Sequence, residues 1–275
     1  MPERAVSRGL ASVKWGVSMK VVILAGGRGT RLMEETEARP KPMVEVGGRP
    51  ILWHIMKWYA HYGFADFIIC AGYKSSMIKE YFANFFLHAS DVTFDLGDNA
   101  VRIHHSFSEP WRVTVVDTGL DTMTGGRIKR VLPYVGDEDF FLTYGDGLSN
   151  IPIQSLLKFH LSHGKLATMS TVPIPGRFGV LDLAGDVVVD FLEKPPSEAW
   201  INAGFFVLSP KIGAYLTDDQ TVFEQHPLRN LARDGELRAF RHHGFWHAMD
   251  TLRDRFELQE AWDSGDVPWA PHGST

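Results

Sequence analysis

Two kinds of residue in this chain are spaced as phosphate chemistry needs them. Glycines with flanking cations occur in Leu24-Ala25-Gly26-Gly27-Arg28-Gly29-Thr30-Arg31 and again, as a cation between prolines, in Pro40-Lys41-Pro42. Acids follow in Gly145-Asp146-Gly147 and Met249-Asp250-Thr251. Residues without Cβ let successive backbone N–H groups turn inward as a nest for anionic oxygens. Arg31 and Lys41 add the full charge that amides lack. Together, residues 24–31 and Lys41 describe a loop built for a nucleoside triphosphate. Asp146, flanked by glycines, is free to reach into a cleft and hold a hard cation. Asp250 is a second such acid, so one Mg²⁺ held by both would neutralise triphosphate charge and activate the phosphorus. Asp250 also precedes a helix-like run, where it reads as an N-cap.

Other phosphate loops fit less well. A Walker A loop needs a Gly-Lys-Ser/Thr ending, and none occurs here. For a dinucleotide fingerprint, Gly27 and Gly29 are present, but the third small residue falls on Leu32 and the next helix-like stretch begins only near Pro50. An ordinary strand-to-helix turn rarely needs three glycines together with Arg and Lys.

Two further segments carry suitable groups. In Asp190-Phe191-Leu192-Glu193-Lys194-Pro195, Lys194 can pair with a phosphomonoester while Glu193 accepts hydrogen bonds from sugar hydroxyls, although an exposed Glu-Lys pair at a strand end is common. In the polar run Asp121–Arg130, backbone N–H groups and Arg127 offer a second anion site and the Thr122 hydroxyl can meet a base or ribose. Solvated helix charge accounts for Lys129 and Arg130. His242, His243 and His247 do not read as a metal cluster, because neighbours on a strand point to opposite faces.

The elements that must position these residues alternate. Met19–Leu24 is a β-branched apolar run that reads as a buried parallel strand, a helix follows from Pro50 and closes at Gly63, and a strand is expected at 66–70 and a helix at 75–86. Further strands are read at 113–117, 140–143, 166–172, 187–192 and 201–208. This predicts an α/β fold, Rossmann-like, with a mixed but mainly parallel central sheet and helices on both faces. Ligands then belong at the carboxyl ends of the strands, where the glycine loop and Asp146 lie. Residues 87–112 break the rhythm and read as an inserted β-hairpin arm turning at Gly97-Asp98-Asn99, either covering the site or pairing with another subunit. Residues 1–18 are expected to be a poorly ordered extension, 19–265 the folded domain, and 266–275 a tail.

Composition narrows the function. A chain of 275 residues with 44% apolar and 22% charged residues is globular and suits one large α/β domain. The net charge of −5 argues against a nucleic-acid-coating surface, so a polyanionic ligand must be met by a local cluster of Lys and Arg. No apolar run reaches membrane-span length, and the single cysteine, Cys70, suits a reducing cytoplasm.

These motifs, taken together, resemble the sugar-1-phosphate nucleotidylyltransferases from about Met19 to Trp269. The resemblance rests on residues 24–31, Pro40-Lys41-Pro42, Gly145-Asp146 and Glu193-Lys194-Pro195. A narrower likeness, to members that make CDP-glucose, rests on Pro50–Met56, Tyr81–Asn84, Val116–Gly119, Met123–Arg127, Gly176–Gly179 and Met249–Asp254. The resemblance implies transfer of a cytidylyl group from CTP to glucose 1-phosphate with release of pyrophosphate, dependent on Mg²⁺. It implies nucleotide contacts along Leu24, Ala25, Gly26, Gly27, Arg28, Gly29, Thr30 and Arg31, and sugar-phosphate contacts at Gly179, Glu193, Lys194 and Asn202. It also implies a homo-oligomer, a hexamer being one such form, in which the loop around Arg127 can serve a neighbouring site. One departure is Asn202-Ala203-Gly204, where the family carries Asn-Gly-Gly; Ala203 adds a methyl group where the sugar is expected.

Overall fold

The computed structural model describes residues 19–106, 109–174, 180–184, 186–192 and 199–271. The chain runs through β1 (Lys20–Ala25), α1 (Ile51–His61), β2 (Asp66–Ala71) and α2 (Ser75–Ala83). A hairpin of β3 (Ser90–Asp95) and β4 (Ala100–Ser106) precedes β5 (Arg112–Asp117), α3 (Thr124–Val135), β6 (Phe140–Tyr144), β7 (Gly147–Ser149) and α4 (Ile153–His163). The remainder is β8 (Ala167–Pro173), β9 (Val180–Ala184), β10 (Val187–Leu192), β11 (Trp200–Leu208), α5 (His226–Arg233), β12 (Leu237–Arg241), β13 (Trp246–Ala248) and α6 (Leu252–Ser264).

Seven strands form the central sheet in the order β12-β8-β11-β6-β1-β2-β5. β8–β11 and β11–β6 pair antiparallel and the other neighbours pair parallel, so the sheet is mixed and mainly parallel, as expected. Successive side chains along a strand serve opposite faces. Val21, Ile23, Phe67, Ile69, Phe141, Phe205 and Val207 join a core beneath α1, α4 and α6, whereas Val22, Ile68, Cys70, Phe140, Leu142, Phe206 and Leu208 join a second core beneath α3 and α5. Each fully buried side chain of this kind contributes roughly 1.5–3 kcal/mol, so both faces hold the sheet. Helix α1 packs on one face and α3 on the other, which opens a crevice beyond the carboxyl ends of β1 and β6.

Several boundaries differ from the sequence expectation. A 3₁₀ turn over Thr30–Leu32 and a helical turn over Met33–Thr36 follow the glycine loop at once, earlier than the helix expected near Pro50. Both are too short to show a hydrophobic period. The helix expected over 75–86 breaks at Asn84, and a separate turn covers Phe85–His88. Strands β7, β9, β12 and β13 were not legible; β7 and β13 span three residues each, too few for alternation to register. The hairpin arm is narrower than 87–112, since Arg112 begins β5 and Trp111 packs on Trp53, Phe67 and Phe85. Within the segment expected as a tail, Trp269 returns to the interior, where it is 1% exposed and its ring lies 5.3 Å from that of Phe245. Among the described residues, no helix is long and apolar enough to cross a membrane.

Candidate active site

β1 ends at Ala25, and the chain then turns through four residues to a short helix. Gly29 has φ 64°, and a Cβ there would lie 2.7 Å from Thr36 Cγ2, so both backbone and space demand glycine. The Thr36 hydroxyl donates to the carbonyls of Gly29 and Leu32 at 3.1 and 2.9 Å, and Tyr73 Oη donates to the Thr36 carbonyl at 3.1 Å. These bonds fix the far end of the loop. Thr36 and Tyr73 carry no sequence signal of that role.

Arg127 fixes the near end. It is 4% exposed and donates to the carbonyls of Gly26 (3.0 Å), Ala71 (3.3 Å), Gly119 (2.7 Å) and Leu120 (3.3 Å) and to Thr118 Oγ1 (2.7 Å). Burial pulls its pKa below the ordinary guanidinium value. The second anion site expected at Arg127 is therefore replaced by a cationic staple under the loop. Its donors face carbonyls gathered at and just beyond the carboxyl ends of β1, β2 and β5. The Gly26 carbonyl also accepts from the Tyr73 N–H at 3.2 Å, and the Leu24 carbonyl accepts from Gly145 N–H at 3.0 Å, so both already have partners apart from any nucleobase. Thr122 is buried beside this staple. Arg28 is exposed and pairs with Asp121 at 2.9 Å, joining the glycine loop to the loop before α3.

Lys41 lies in a 3₁₀ turn started by Pro40 and is 8% exposed. Its Nζ donates to Asp146 Oδ2 at 2.6 Å and to Asp250 Oδ1 at 2.7 Å. The aspartates meet because β7 and β13 pair antiparallel with Gly147 opposite Ala248, and Met249 N–H donates to the Asp146 carbonyl at 2.9 Å. The N-cap of α6 is Thr251 rather than Asp250: Thr251 Oγ1 and the Asp254 carboxylate form a capping box, and Asp254 Oδ2 also accepts from the Asp250 N–H at 2.9 Å. That arrangement turns the Asp250 carboxylate toward Lys41 and Asp146. Two carboxylates that both reach one ammonium can also reach one hard divalent cation, and the Lys41 ammonium stands where such an ion would neutralise them.

A cavity of about 230 Å³ opens here, lined by Ala25, Gly27, Gly29, Thr30, Lys41, Pro42 and Asp146. A larger recess of about 330 Å³ between Arg49, Trp53, Phe85 and Glu109 shares none of these residues and lies at the root of the hairpin arm. It holds no convergent set of phosphate-binding groups. The glycine loop, Lys41 and Asp146 line the first cavity, and Asp250 is joined to it through Lys41.

Asn202 lies on β11. Its Nδ2 donates to Tyr144 Oη at 3.0 Å and its Oδ1 accepts from Gly204 N–H at 2.8 Å. The methyl group of Ala203 does not intrude there: it is 3% exposed and packs in the apolar core, because it points to the opposite side of the strand. Gly179, Glu193, Lys194 and the side chain of Arg31 lie outside the described residues. Of the three histidines, His242 Nε2 lies 2.9 Å from Asn150 Oδ1, and His247 instead meets Asp254 and Glu257, with ligand atoms within 4.8 Å of one another. Asp254 caps α6 and Glu257 pairs with Arg253 at 2.8 Å, so those acids already serve the helix.

A glycine loop at the carboxyl end of the first strand, a buried lysine and two convergent acids define a nucleotide-transferring class of site. The chain belongs to the nucleotidyl transferase family, whose model matches residues 20–247. A glucose-1-phosphate cytidylyltransferase of Salmonella typhimurium is 56% identical to it over 253 residues, covering 91% of this chain and 98% of that protein. In three dimensions the chain is similar to HddC from Yersinia pseudotuberculosis, with a TM-score of 0.66 and 25% identity over 89% of this chain and 99% of that one. A UDP-glucose pyrophosphorylase complexed with UDP-glucose shares the fold, with a TM-score of 0.64 and 16% identity over 90% of this chain and 100% of that one.

Proposed function

We propose that this chain transfers a cytidylyl group from CTP to α-D-glucose 1-phosphate, giving CDP-glucose and pyrophosphate. The observation that carries the reading is the Lys41 ammonium held between Asp146 and Asp250 at the mouth of the glycine-loop cavity. The 56% identity to the Salmonella typhimurium enzyme supports the choice of substrates.

An oxygen of the sugar phosphate attacks the α-phosphorus in line; a new P–O bond forms there, the bond to the bridging oxygen breaks, and pyrophosphate leaves with that electron pair toward the glycine loop and Arg31. No general base is required, because a phosphomonoester has a second pKa of about 6 and is already dianionic near neutrality. Asp146 and Asp250 are the residues that would hold Mg²⁺, which when bound neutralises triphosphate charge. Lys41 stabilises the α-phosphoryl oxygens, the N–H groups of residues 26–30 receive the departing phosphates, and Thr122 lies beside the base. Lys194 holds the incoming phosphate, with Glu193, Asn202 and Gly179 on the sugar. Rate then comes from positioning and charge neutralisation. The active assembly is a homo-oligomer, for which light scattering on the purified protein is the direct measure.

A pyrophosphate-release assay with four nucleoside triphosphates and a panel of sugar phosphates tests the reading. Release with CTP and glucose 1-phosphate, abolished by a chelator and restored by Mg²⁺, is expected. Tight binding of CDP-glucose without pyrophosphate release from any pair would instead make the chain a nucleotide-sugar sensor.

A further inference from the structure

Glu224 lies in the loop before α5, far along the chain from every motif that marks the site. Its Oε1 accepts from Tyr144 Oη at 2.5 Å and its Oε2 accepts from Thr124 Oγ1 at 2.6 Å. Thr124 is the first residue of α3, beside the Thr122–Arg127 loop, and its hydroxyl also accepts from the Phe223 N–H at 2.9 Å. Tyr144 ends β6, on the same strand end that presents Asp146. The tyrosine ring lies against Gly204, where φ is +78° and a Cβ would come within 2.6 Å of Tyr144 Cδ2. Ring and carboxylate are thus both held.

The polarity of this chain of bonds is fixed from one end. An ionised carboxylate only accepts, so the Tyr144 hydroxyl must donate its one proton to Glu224. The Tyr144 oxygen can then only accept, and Asn202 must turn its Nδ2 toward it. Gly204 N–H demands Oδ1 on the other side of the same carboxamide. One Nδ2 hydrogen remains outside these bonds, aimed away from the tyrosine.

We infer that Glu224 is a positioning residue that, through Tyr144, sets the orientation of the Asn202 carboxamide so that its remaining N–H meets the sugar phosphate. This rests on the reading of Asn202 as a sugar-phosphate contact. Glu224 touches no reacting atom. Its carboxylate is solvent-exposed, so its bonds add little to stability, and the effect of losing it belongs in substrate binding rather than in folding.

The test is steady-state kinetics of Glu224→Gln and Tyr144→Phe with both substrates varied. A glutamine can donate as well as accept, which releases the Tyr144 proton and with it the fixed order of bonds. Phenylalanine keeps the ring on Gly204 and the bond from Thr124 to Glu224. Each variant is expected to raise KM for glucose 1-phosphate about tenfold with KM for CTP within about twofold, and the double variant to do no more than the larger single one, as for residues acting in one network. An unchanged KM for glucose 1-phosphate in Tyr144→Phe overturns the proposal even if Glu224→Gln fails to fold. Parallel rises in both KM values overturn it too, since they mark general disorder of the site. The wild-type protein separates the two levels: inactivity with CTP and glucose 1-phosphate removes the functional reading and this inference together, whereas an active wild type with unaffected variants removes this inference alone.

Discussion

Arg127 Nη2 donates to the Gly26 carbonyl at 3.0 Å, placing a buried cation directly under the glycine loop. Its other bonds reach Ala71, Thr118, Gly119 and Leu120, so one side chain ties the ends of β1 and β2 to the loop before α3. The field of this guanidinium favours anions above it, while its hydrogen bonds stop the glycine loop from opening.

Arg127→Met is therefore expected to lose both stability and nucleotide affinity. Hydrogen bonds from a charged donor are worth about 1.5–3 kcal/mol each, and although Gly26 and Ala71 keep the Tyr73 and Thr118 N–H groups as donors, losing the bonds to Gly26, Thr118 and Gly119 makes a loss of roughly 3 kcal/mol or more the expected outcome. Calorimetry and KM for CTP on the same preparation check it. Weakened CTP binding at an unchanged melting temperature would mean that Arg127 contacts the anion directly, and the staple would be wrong.

Lys41→Met removes the ammonium that Asp146 and Asp250 share. Both carboxylates are about a quarter exposed, so screening limits the cost to roughly 1–2 kcal/mol without metal. Added Mg²⁺ is expected to raise the melting temperature of this variant more than that of the wild type, because the Lys41 ammonium no longer competes for the same oxygens. Equal shifts in a thermal melt would show that the lysine and the ion do not share a position. Asp146→Asn is expected to cut turnover at saturating substrates by about 10²-fold or more, the scale of losing one preorganised charge at a phosphoryl centre.

His54 makes the protein acid-sensitive. It is 2% exposed, Nε2 donates to the Val46 carbonyl at 2.9 Å, and burial lowers its pKa from 6.5 to about 4. Between those values the unfolded chain binds a proton that the folded one refuses. The neutral histidine's contribution is thus complete above pH 6.5 and lost as pH falls toward 4, amounting to roughly 3 kcal/mol. Urea unfolding across that window should show a shallower pH dependence in His54→Gln; an identical slope would assign the acid sensitivity elsewhere.

Gly145→Ala is expected to impair catalysis while the fold survives. An added Cβ would lie 2.8 Å from the Leu24 carbonyl and 3.0 Å from Pro42 Cγ, so the turn before Asp146 must move away from β1. A fall in kcat of about tenfold or more with the far-ultraviolet circular dichroism unchanged is the expected result. Full activity would show that the loop absorbs the methyl group without moving the carboxylate.

Much of this was legible in the residues themselves. The β-branched run of β1, the glycines after it, the proline-flanked Lys41 and the glycine-flanked Asp146 are local patterns, and local backbone preference and burial period produced them as expected. Short or amphiphilic pieces were not legible: β7 and β13 lack the length to show alternation, and the residues 30–36 show no helical period.

The sequence by itself determined the alternating architecture, the glycine loop that follows β1 and the acids that lie beside Lys41. Tertiary structure alone decided what those groups do to one another. Asp146 and Asp250 share Lys41 because two three-residue strands pair across the chain, and pairing partners are not encoded in the local spacing of either strand. Arg127 reads as part of a second anion site until it is buried, since a cation's role depends on the dielectric around it and on which carbonyls the fold brings to its donors.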